Sequence, residues 1–162
     1  MKTELLQEHI EMVEQLKTIP ALQLFGMQDV QRIQNFSQLR RYEPEEMIIA
    51  QGSFDTWIYF LVSGELGVVR DGETINTLRR TGDIFGEMCI IDGAPRSASI
   101  IAKTQALCFA TDVSYLDTLH ADDKAAFCAV FYRVVAEVMA HRLRETSAEL
   151  VRVKKEIEAG KK

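Results

Sequence analysis

The sequence predicts an α+β fold, in which an antiparallel β jelly-roll barrel (a double-stranded β-helix) lies between N-terminal helices and a long C-terminal helix. Six short runs of β-type residues follow one another through the middle of the chain, and glycine-bearing breaks separate most of them. Many short strands at close spacing are typical of an antiparallel barrel or jelly roll. We therefore divide the chain into an N-terminal helical segment (1–38), a β-barrel (39–112) and C-terminal helices (113–162).

The N-terminal segment carries apolar residues near helical spacing from Leu5 to Leu16. This periodicity predicts a first helix over about residues 3–17, which ends before Pro20, and a second short helix is expected over 29–36. The first stretch also carries several acidic residues and has an amphipathic pattern, so we do not interpret it as a signal peptide.

The β region contains the clearest local signals. Asp71-Gly72 stands between two β-type runs, and this dipeptide is a strong hairpin signal. Beyond about Asp122 the pattern becomes helical, with no proline or glycine before Gly160. The predicted strands lie at 47–50, 57–62, 66–70, 74–78, 97–102 and 106–111.

Composition narrows the class of protein. The chain has 162 residues, 47% of them hydrophobic, and a formal net charge of −5. An acidic chain is a poor partner for nucleic acid or an anionic membrane surface. No uninterrupted apolar run reaches the roughly 20 residues that a membrane-spanning helix needs. The three cysteines, an odd number set among apolar neighbours, fit reduced thiols and a cytoplasmic location better than a disulfide framework.

The segment 85–99, F-G-E-M-C-I-I-D-G-A-P-R-S-A-S, carries the chemistry of the chain. Gly86 allows a ligand to approach the backbone closely and could begin a short helix, whose free N–H groups attract anions. Arg96 can offer two parallel N–H bonds to a phosphate, whereas Glu87 only accepts hydrogen bonds and so suits a sugar hydroxyl. From the residues alone, the segment is either a cradle for such a ligand or only a tight turn.

This segment resembles the phosphate-binding cassette of cyclic nucleotide-binding domains, whose pattern is F-G-E, a short apolar stretch and R-(S/T/A)-A. It is similar to both the protein-kinase-A regulatory-subunit type and the bacterial catabolite-activator type. Residues 59–65 (Y-F-L-V-S-G-E), 50–52 (A-Q-G) and 81–83 (T-G-D) match flanking motifs of the same family. The chain departs from the pattern at Glu45, where the family usually has glycine in the turn after a proline.

The resemblance implies a division of roles within the cassette. Arg96 would bind the phosphate, Glu87 would accept from the ribose 2′-hydroxyl, and Ser97 would donate to the phosphate. The ligand would be cAMP, or alternatively cGMP, because a hydroxyl after the arginine also occurs in guanine-preferring members. Backbone groups of three further residues would complete the contacts: Gly86, Met88 and Ala98.

The last helix carries a heptad seam of nearly four repeats, with spacings that alternate between four and three. The pattern predicts a homodimer through this helix, although most amphipathic stripes pack on their own domain. The seam positions are Tyr132, Ala136, Met139, Leu143, Thr146, Leu150, Val153 and Ile157.

Thr146 is a polar residue at a seam position. The segment 138–150 is similar to the catabolite-activator segment that ends A-R-R-L-x-x-T-S-x-x-V, in which the Thr and the Ser contact the adenine amino group, the Ser from the partner subunit. Thr146 and Ser147 stand at the matching positions. The resemblance therefore favours cAMP and connects ligand binding with dimerisation.

Three functional classes follow, and the first is a non-catalytic cyclic-nucleotide sensor that transmits ligand binding through its last helix. The second is a degenerate domain of the same fold that serves in dimerisation or docking. The third, a cupin-type metal enzyme, needs histidines on strands. We expect neither an enzyme nor a metal site, because the three histidines (His9, His120 and His141) lie outside the predicted strands. We also expect no DNA-binding domain in this chain.

Overall fold

The computed structural model describes residues 37–160. Both predicted N-terminal helices, over 3–17 and 29–36, lie outside the described residues. The chain divides into two compact units, one that ends at Lys124 and one that begins at Ala125. Within the described part there are eight strands, two α-helices and one 3-10 helix: β1 (Ser37–Tyr42), β2 (Met47–Ile49), β3 (Trp57–Ser63), β4 (Leu66–Arg70), β5 (Glu73–Leu78), β6 (Ile84–Phe85), α1 (Met88–Asp92), β7 (Ser99–Ala102), β8 (Ala106–Asp112), the 3-10 helix (Val113–Thr118) and α2 (Ala121–Gly160).

The strands form two antiparallel sheets of four, in the orders β1-β8-β3-β6 and β2-β7-β4-β5. All six predicted strands are present, and β4 has the predicted bounds. No hydrogen-bonded ladder joins one sheet to the other among residues 37–160, so the described strands do not close into a single ring. The antiparallel β architecture and the C-terminal helix are confirmed.

The hairpin predicted at Asp71-Gly72 joins β4 to β5. Asp71 has a φ of 52° and Gly72 a φ of 85°. Positive φ at both central residues defines the type I′ turn, whose twist matches that of the flanking strands. Aspartate and glycine are among the few residues that tolerate this geometry, which is why the sequence signal was reliable.

One buried cluster draws side chains from all eight strands. Each fully buried Leu, Ile or Phe side chain contributes about 1.5–3 kcal/mol. Tyr59 and Phe85 stack within it, with their ring centroids 4.9 Å apart. The cluster consists of Tyr42, Ile49, Tyr59, Leu61, Leu66, Leu78, Phe85, Ile100, Ala102, Ala106, Cys108 and Ala110.

Strand β1 is the element that the sequence pattern did not single out. Its residues, S-Q-L-R-R-Y, have only two apolar members and no clear alternation. It is nevertheless paired with β8 along its whole length. A buried hydrogen bond of 2.9 Å joins the side chains of Ser37 and Thr111 across this pair. Backbone pairing at a sheet edge therefore decides the conformation where apolar periodicity is weak.

Helix α2 confirms the long C-terminal helix that begins near Asp122. No helix in the described range 37–160 combines the length and the apolar character that crossing a membrane requires. Most of the predicted seam is exposed in this chain: Tyr132, Leu143, Leu150, Val153 and Ile157 all keep more than a third of their surface accessible.

Candidate functional site

The segment 85–99 folds as a turn, a short helix and a second turn between β6 and β7. Gly86 follows β6 with a φ of 82°, and Gly93 ends α1 in the left-handed region with a φ of 67°. Helix α1 begins at Met88, two residues later than Gly86, the helix start considered in the sequence analysis. The two glycines reverse the chain and so bring the end of the segment back toward its beginning.

Arg96 is the centre of this arrangement and is buried, with 4% of its surface exposed. Its Nη1 donates to the carbonyl of Gly86, and its Nη2 donates to the carbonyl of Trp57 at 2.6 Å. Its Nε donates to Asp55 Oδ2 at 3.2 Å, and Nη2 also bonds the other carboxylate oxygen. The guanidinium is therefore fixed on two sides by backbone and on the third by a carboxylate.

Asp55 is the functional residue that sequence reasoning missed. Its carboxylate bonds two nitrogens of the Arg96 guanidinium and also accepts from the backbone N–H of Trp57 at 2.9 Å. The ion pair offsets the cost of burying Arg96. Because Asp55 lies 41 residues before Arg96, no local motif connects them, and the only signal was a carboxylate in the glycine-bearing loop Q-G-S-F-D.

Gly86 is required by close approach as well as by its dihedral angle. A Cβ atom at this position would lie 2.6 Å from Arg96 Nη1 and 2.9 Å from the carbonyl oxygen of Trp57. Contacts this short do not occur for a real side chain, so something would have to shift. The group that approaches Gly86 closely in this structure is the chain's own Arg96, whereas the approach of a ligand stays a prediction.

Glu87 directly follows Gly86 and is almost fully buried, with 1% of its surface exposed. Its backbone is already helical, and its carbonyl accepts from the N–H groups of Ile90 and Ile91 at 3.1 and 3.2 Å. Burying a carboxylate and a guanidinium in one short segment is costly unless each is paired or hydrogen-bonded.

Ser97 and Met88 occupy the outer side of the same segment. The Ser97 hydroxyl lies 3.8 Å from Met88 Sδ, and both residues are exposed. Ala98 is half-buried. The predicted cassette residues Gly86, Glu87, Met88, Arg96, Ser97 and Ala98 therefore belong to one continuous structural feature, which we call the cassette. Thr146 and Ser147 belong to α2, and both are exposed there.

Two further titratable groups near the cassette, Tyr59 and Cys89, are neutral at physiological pH. Burial raises the pKa of the Tyr59 phenol to about 12. Burial also raises the pKa of the Cys89 thiol, against the opposing influence of Arg96. Within residues 37–160 no group of three or more His, Cys, Asp or Glu side chains is arranged to hold a metal ion. The cation of Arg96 and the acceptor oxygens of Glu87 suit an anion that also carries hydroxyl donors.

Comparison with known proteins defines the class to which this fold and site belong. The family model described as the cyclic nucleotide-binding domain matches residues 39–123, which is more than half of the chain. The chain therefore belongs to the cyclic nucleotide-binding domain family. The resemblance inferred from the cassette motif is confirmed.

The relatives extend this result. The chain is 32% identical over 92 residues to a cAMP-dependent protein kinase regulatory subunit from Yarrowia lipolytica, and the match covers 56% of this chain and 24% of that protein. It is 36% identical over 76 residues to a cGMP-dependent protein kinase from Plasmodium berghei, which covers 47% of this chain and 9% of that protein. The chain thus spans about a quarter or less of the length of these curated relatives.

A solved structure is similar over more of the chain. The catabolite activator protein of Thermus thermophilus superimposes with a TM-score of 0.59 at 27% identity, covering 81% of this chain and 61% of that one. The chain is a cyclic nucleotide-binding domain whose relatives include regulatory subunits of kinases.

Proposed function

We propose that this domain is a non-catalytic sensor that binds cAMP at the cassette and transmits binding through its C-terminal helix. The observation that carries the proposal is the buried Arg96, which belongs to the same cassette as the buried Glu87. Its guanidinium is held by Gly86 and Asp55. Arg96 binds the cyclic phosphate, Glu87 accepts from the ribose 2′-hydroxyl, and Ser97 donates to the phosphate. Backbone groups of Gly86, Met88 and Ala98 complete the contacts.

A ligand phosphate at this site competes with the internal partners of Arg96 for its N–H donors. The Nε and both terminal nitrogens of Arg96 already bond Asp55, Gly86 or Trp57. These bonds use four of the five guanidinium N–H donors, so a phosphate that accepts two parallel bonds must displace one internal partner, and Asp55 is the charged one. This exchange gives the domain two arrangements, and the ligand favours the one in which Arg96 is engaged by phosphate.

The proposal also includes a homodimer and recognition of the adenine base. The chain forms a homodimer through the α2 seam, and Thr146 and Ser147 contact the adenine amino group, Ser147 from the partner subunit. The exposure of Leu143 and Leu150, 69% and 54%, supports a second helix against this face. The two sheets act as the halves of a jelly-roll barrel, since consecutive strands alternate between them from β1 to β3.

The three free thiols favour the cytoplasm as the compartment. Two alternative functions are each supported by a specific observation. A preference for cGMP is supported by the similarity to a cGMP-dependent kinase. A docking module that has lost its ligand is supported by the internal carboxylate that already occupies Arg96.

Calorimetric titration with cAMP and with cGMP tests the proposal, together with light scattering for the mass. We expect cAMP to bind and to raise the melting temperature, Arg96→Leu to abolish binding, and Glu87→Gln to weaken it. Arg152→Leu, which removes an exposed guanidinium from α2 at a position outside the seam, is the matched control. Tighter binding of cGMP than of cAMP would support the first alternative, and a stable dimer that binds neither nucleotide would support the second.

A further inference from the structure

The loop that follows β2 forms hydrogen bonds with both the backbone and the side chain of Arg96. The N–H of Gly52 donates to the carbonyl of Arg96 at 2.8 Å, and the N–H of Arg96 donates to the carbonyl of Ser53 at 2.9 Å. Asp55, at the end of the same loop, holds the guanidinium. The position of residues 50–55 therefore determines where Arg96 presents its charge.

One side chain ties this loop to a different part of the β unit. Gln51 Nε2 donates to Asp71 Oδ1 at 2.8 Å, and the backbone N–H of Asp71 donates to Gln51 Oε1 at 3.0 Å. The two bonds close a ring between the loop and the tip of the β4–β5 hairpin. The hairpin tip is itself fixed, because Asp71 and Gly72 form the type I′ turn between two paired strands.

The loop has few other anchors outside the cassette. Ser53 bonds the carbonyl of Ala50 within the loop itself, through its N–H at 3.2 Å and its hydroxyl at 2.7 Å. The N–H of Gln51 donates to Ser99 Oγ, which lies at the end of the cassette. The Gln51–Asp71 pair is thus the side-chain contact that fixes the loop to the β4–β5 hairpin.

We infer that Gln51 and Asp71 are positioning residues for Arg96, which fix the loop 50–55 and so set the affinity of the cassette for the ligand phosphate. This inference rests on the proposed function. Ligand sites depend on placement within about 0.5 Å. Both residues are exposed, and hydrogen bonds there contribute little to overall stability. Loss of the pair should therefore change ligand affinity more than it changes the melting temperature.

A charge-rearranged pair tests the inference. Gln51→Glu places two carboxylates against each other, whereas the double variant Gln51→Glu with Asp71→Asn restores a side-chain bond, since the amide introduced at position 71 can donate to the new carboxylate. We expect Gln51→Glu to weaken cAMP binding about fivefold in calorimetry. The double variant should return to within about twofold of the wild type. Asparagine also tolerates the positive φ of position 71.

Hydrogen exchange without ligand provides a second readout. The amides of Gly52 and Arg96 should exchange faster in Gln51→Glu and return toward wild-type rates in the double variant, while the amide of Gly82, bonded to Leu61, should not change. Thr77 lies on β5 and accepts a side-chain hydrogen bond of 3.0 Å from Lys103 Nζ. Thr77→Val removes this bond and is the control for the loss of an exposed hydrogen bond. It should leave both affinity and the two loop amides unchanged.

The outcomes separate the inference from the proposed function. Unchanged exchange at Gly52 and Arg96 in Gln51→Glu, or no rescue by the double variant, overturns the inference even if the wild type binds cAMP. A wild type that binds neither nucleotide overturns the proposed function, whereas the exchange data still decide whether the pair positions Arg96.

Discussion

Arg96 and Asp55 illustrate how a single residue pair can be both a structural and a functional element. The guanidinium is buried and its bonded partners are all internal to the domain, so the pair holds Arg96 in place without ligand. In the proposed function the same guanidinium binds the ligand phosphate. On that proposal, Asp55 both holds Arg96 and competes with the ligand for it.

Removing the negative charge of Asp55 should separate these two roles. Asp55→Asn keeps an acceptor for Arg96 and Trp57 but removes the charge that opposes an incoming phosphate. We expect a melting temperature several degrees lower without ligand and cAMP binding that is about threefold to tenfold tighter. Glu73→Gln, which removes one negative charge from β5, controls for net charge. Weaker cAMP binding by Asp55→Asn would show that the carboxylate mainly orients the arginine.

Gly86 gives a second prediction at the scale of single residues. Gly86→Ala must bear both a positive φ and a Cβ against Arg96 and Trp57, whereas Gly93→Ala bears only the positive φ, because nothing lies within 4 Å of its Cβ. We expect Gly93→Ala to lose about 1 kcal/mol of unfolding free energy and Gly86→Ala to lose about 3 kcal/mol. Denaturant unfolding measures both, and equal losses would mean that the close approach is easily relieved.

At the scale of elements, the β1–β2 turn places a glutamate in a backbone conformation that favours glycine. Glu45 has a φ of 68°, a conformation that favours glycine, and its N–H donates to the carbonyl of Ala102 at 2.8 Å. The turn thus keeps the geometry expected of glycine although the residue is glutamate. The bond to β7 and the pairing around it hold Glu45 in this conformation.

Glu45→Gly should relieve this strain. We expect the free energy of unfolding to rise by about 0.5–1 kcal/mol, because the left-handed region costs a side chain more than the added freedom of glycine in the unfolded chain. Glu65→Gly is the matched control, since Glu65 is exposed and has no positive φ. It should lose stability by a similar amount. A loss in both variants would mean that Glu45 carries no strain.

The cassette is the element in which local and long-range order meet. Its turn–helix–turn shape follows from two glycines that are visible in the sequence. Its chemistry depends instead on Trp57 and Asp55, which β3 and its preceding loop bring to Arg96. An element of fifteen residues can thus be recognised locally, whereas its site is completed by residues about forty positions away.

At the scale of the whole molecule, the proposed homodimer depends on the exposed seam of α2. Leu150 lies on the seam and is 54% exposed, whereas Val151 lies off the seam and is 52% exposed. Because the two residues are adjacent and almost equally exposed, a comparison of their variants distinguishes specific helix pairing from nonspecific hydrophobic association of the helix.

Leu150→Lys should prevent dimerisation, whereas Val151→Lys should not. We expect light scattering to give half the wild-type mass for the first variant and an unchanged mass for the second, since only the seam position would be buried between helices. Circular dichroism checks that both remain folded. A wild type of monomer mass, or equal behaviour of the two variants, would exclude the seam as the dimer interface.

Much of the molecule could be predicted because its signals are local. The Asp71-Gly72 turn, strand β4 and the start of α2 each depend on residues within a few positions of one another. The cassette motif is likewise local, and it predicted the family from the sequence. Strand β1 was not predicted, because its conformation depends on pairing with β8, about seventy residues later.

The sequence by itself determined the antiparallel β architecture, the hairpin, the long last helix and the cassette with Glu87 and Arg96, because propensities, turns and motifs are written in short stretches. Only the tertiary structure decided what Arg96 contacts, that Asp55 holds it, and that Gln51 and Asp71 tie the surrounding loop to a distant hairpin. These contacts join residues 20 and 41 positions apart. They exist only once the two sheets have brought the loops together, so no local pattern could contain them.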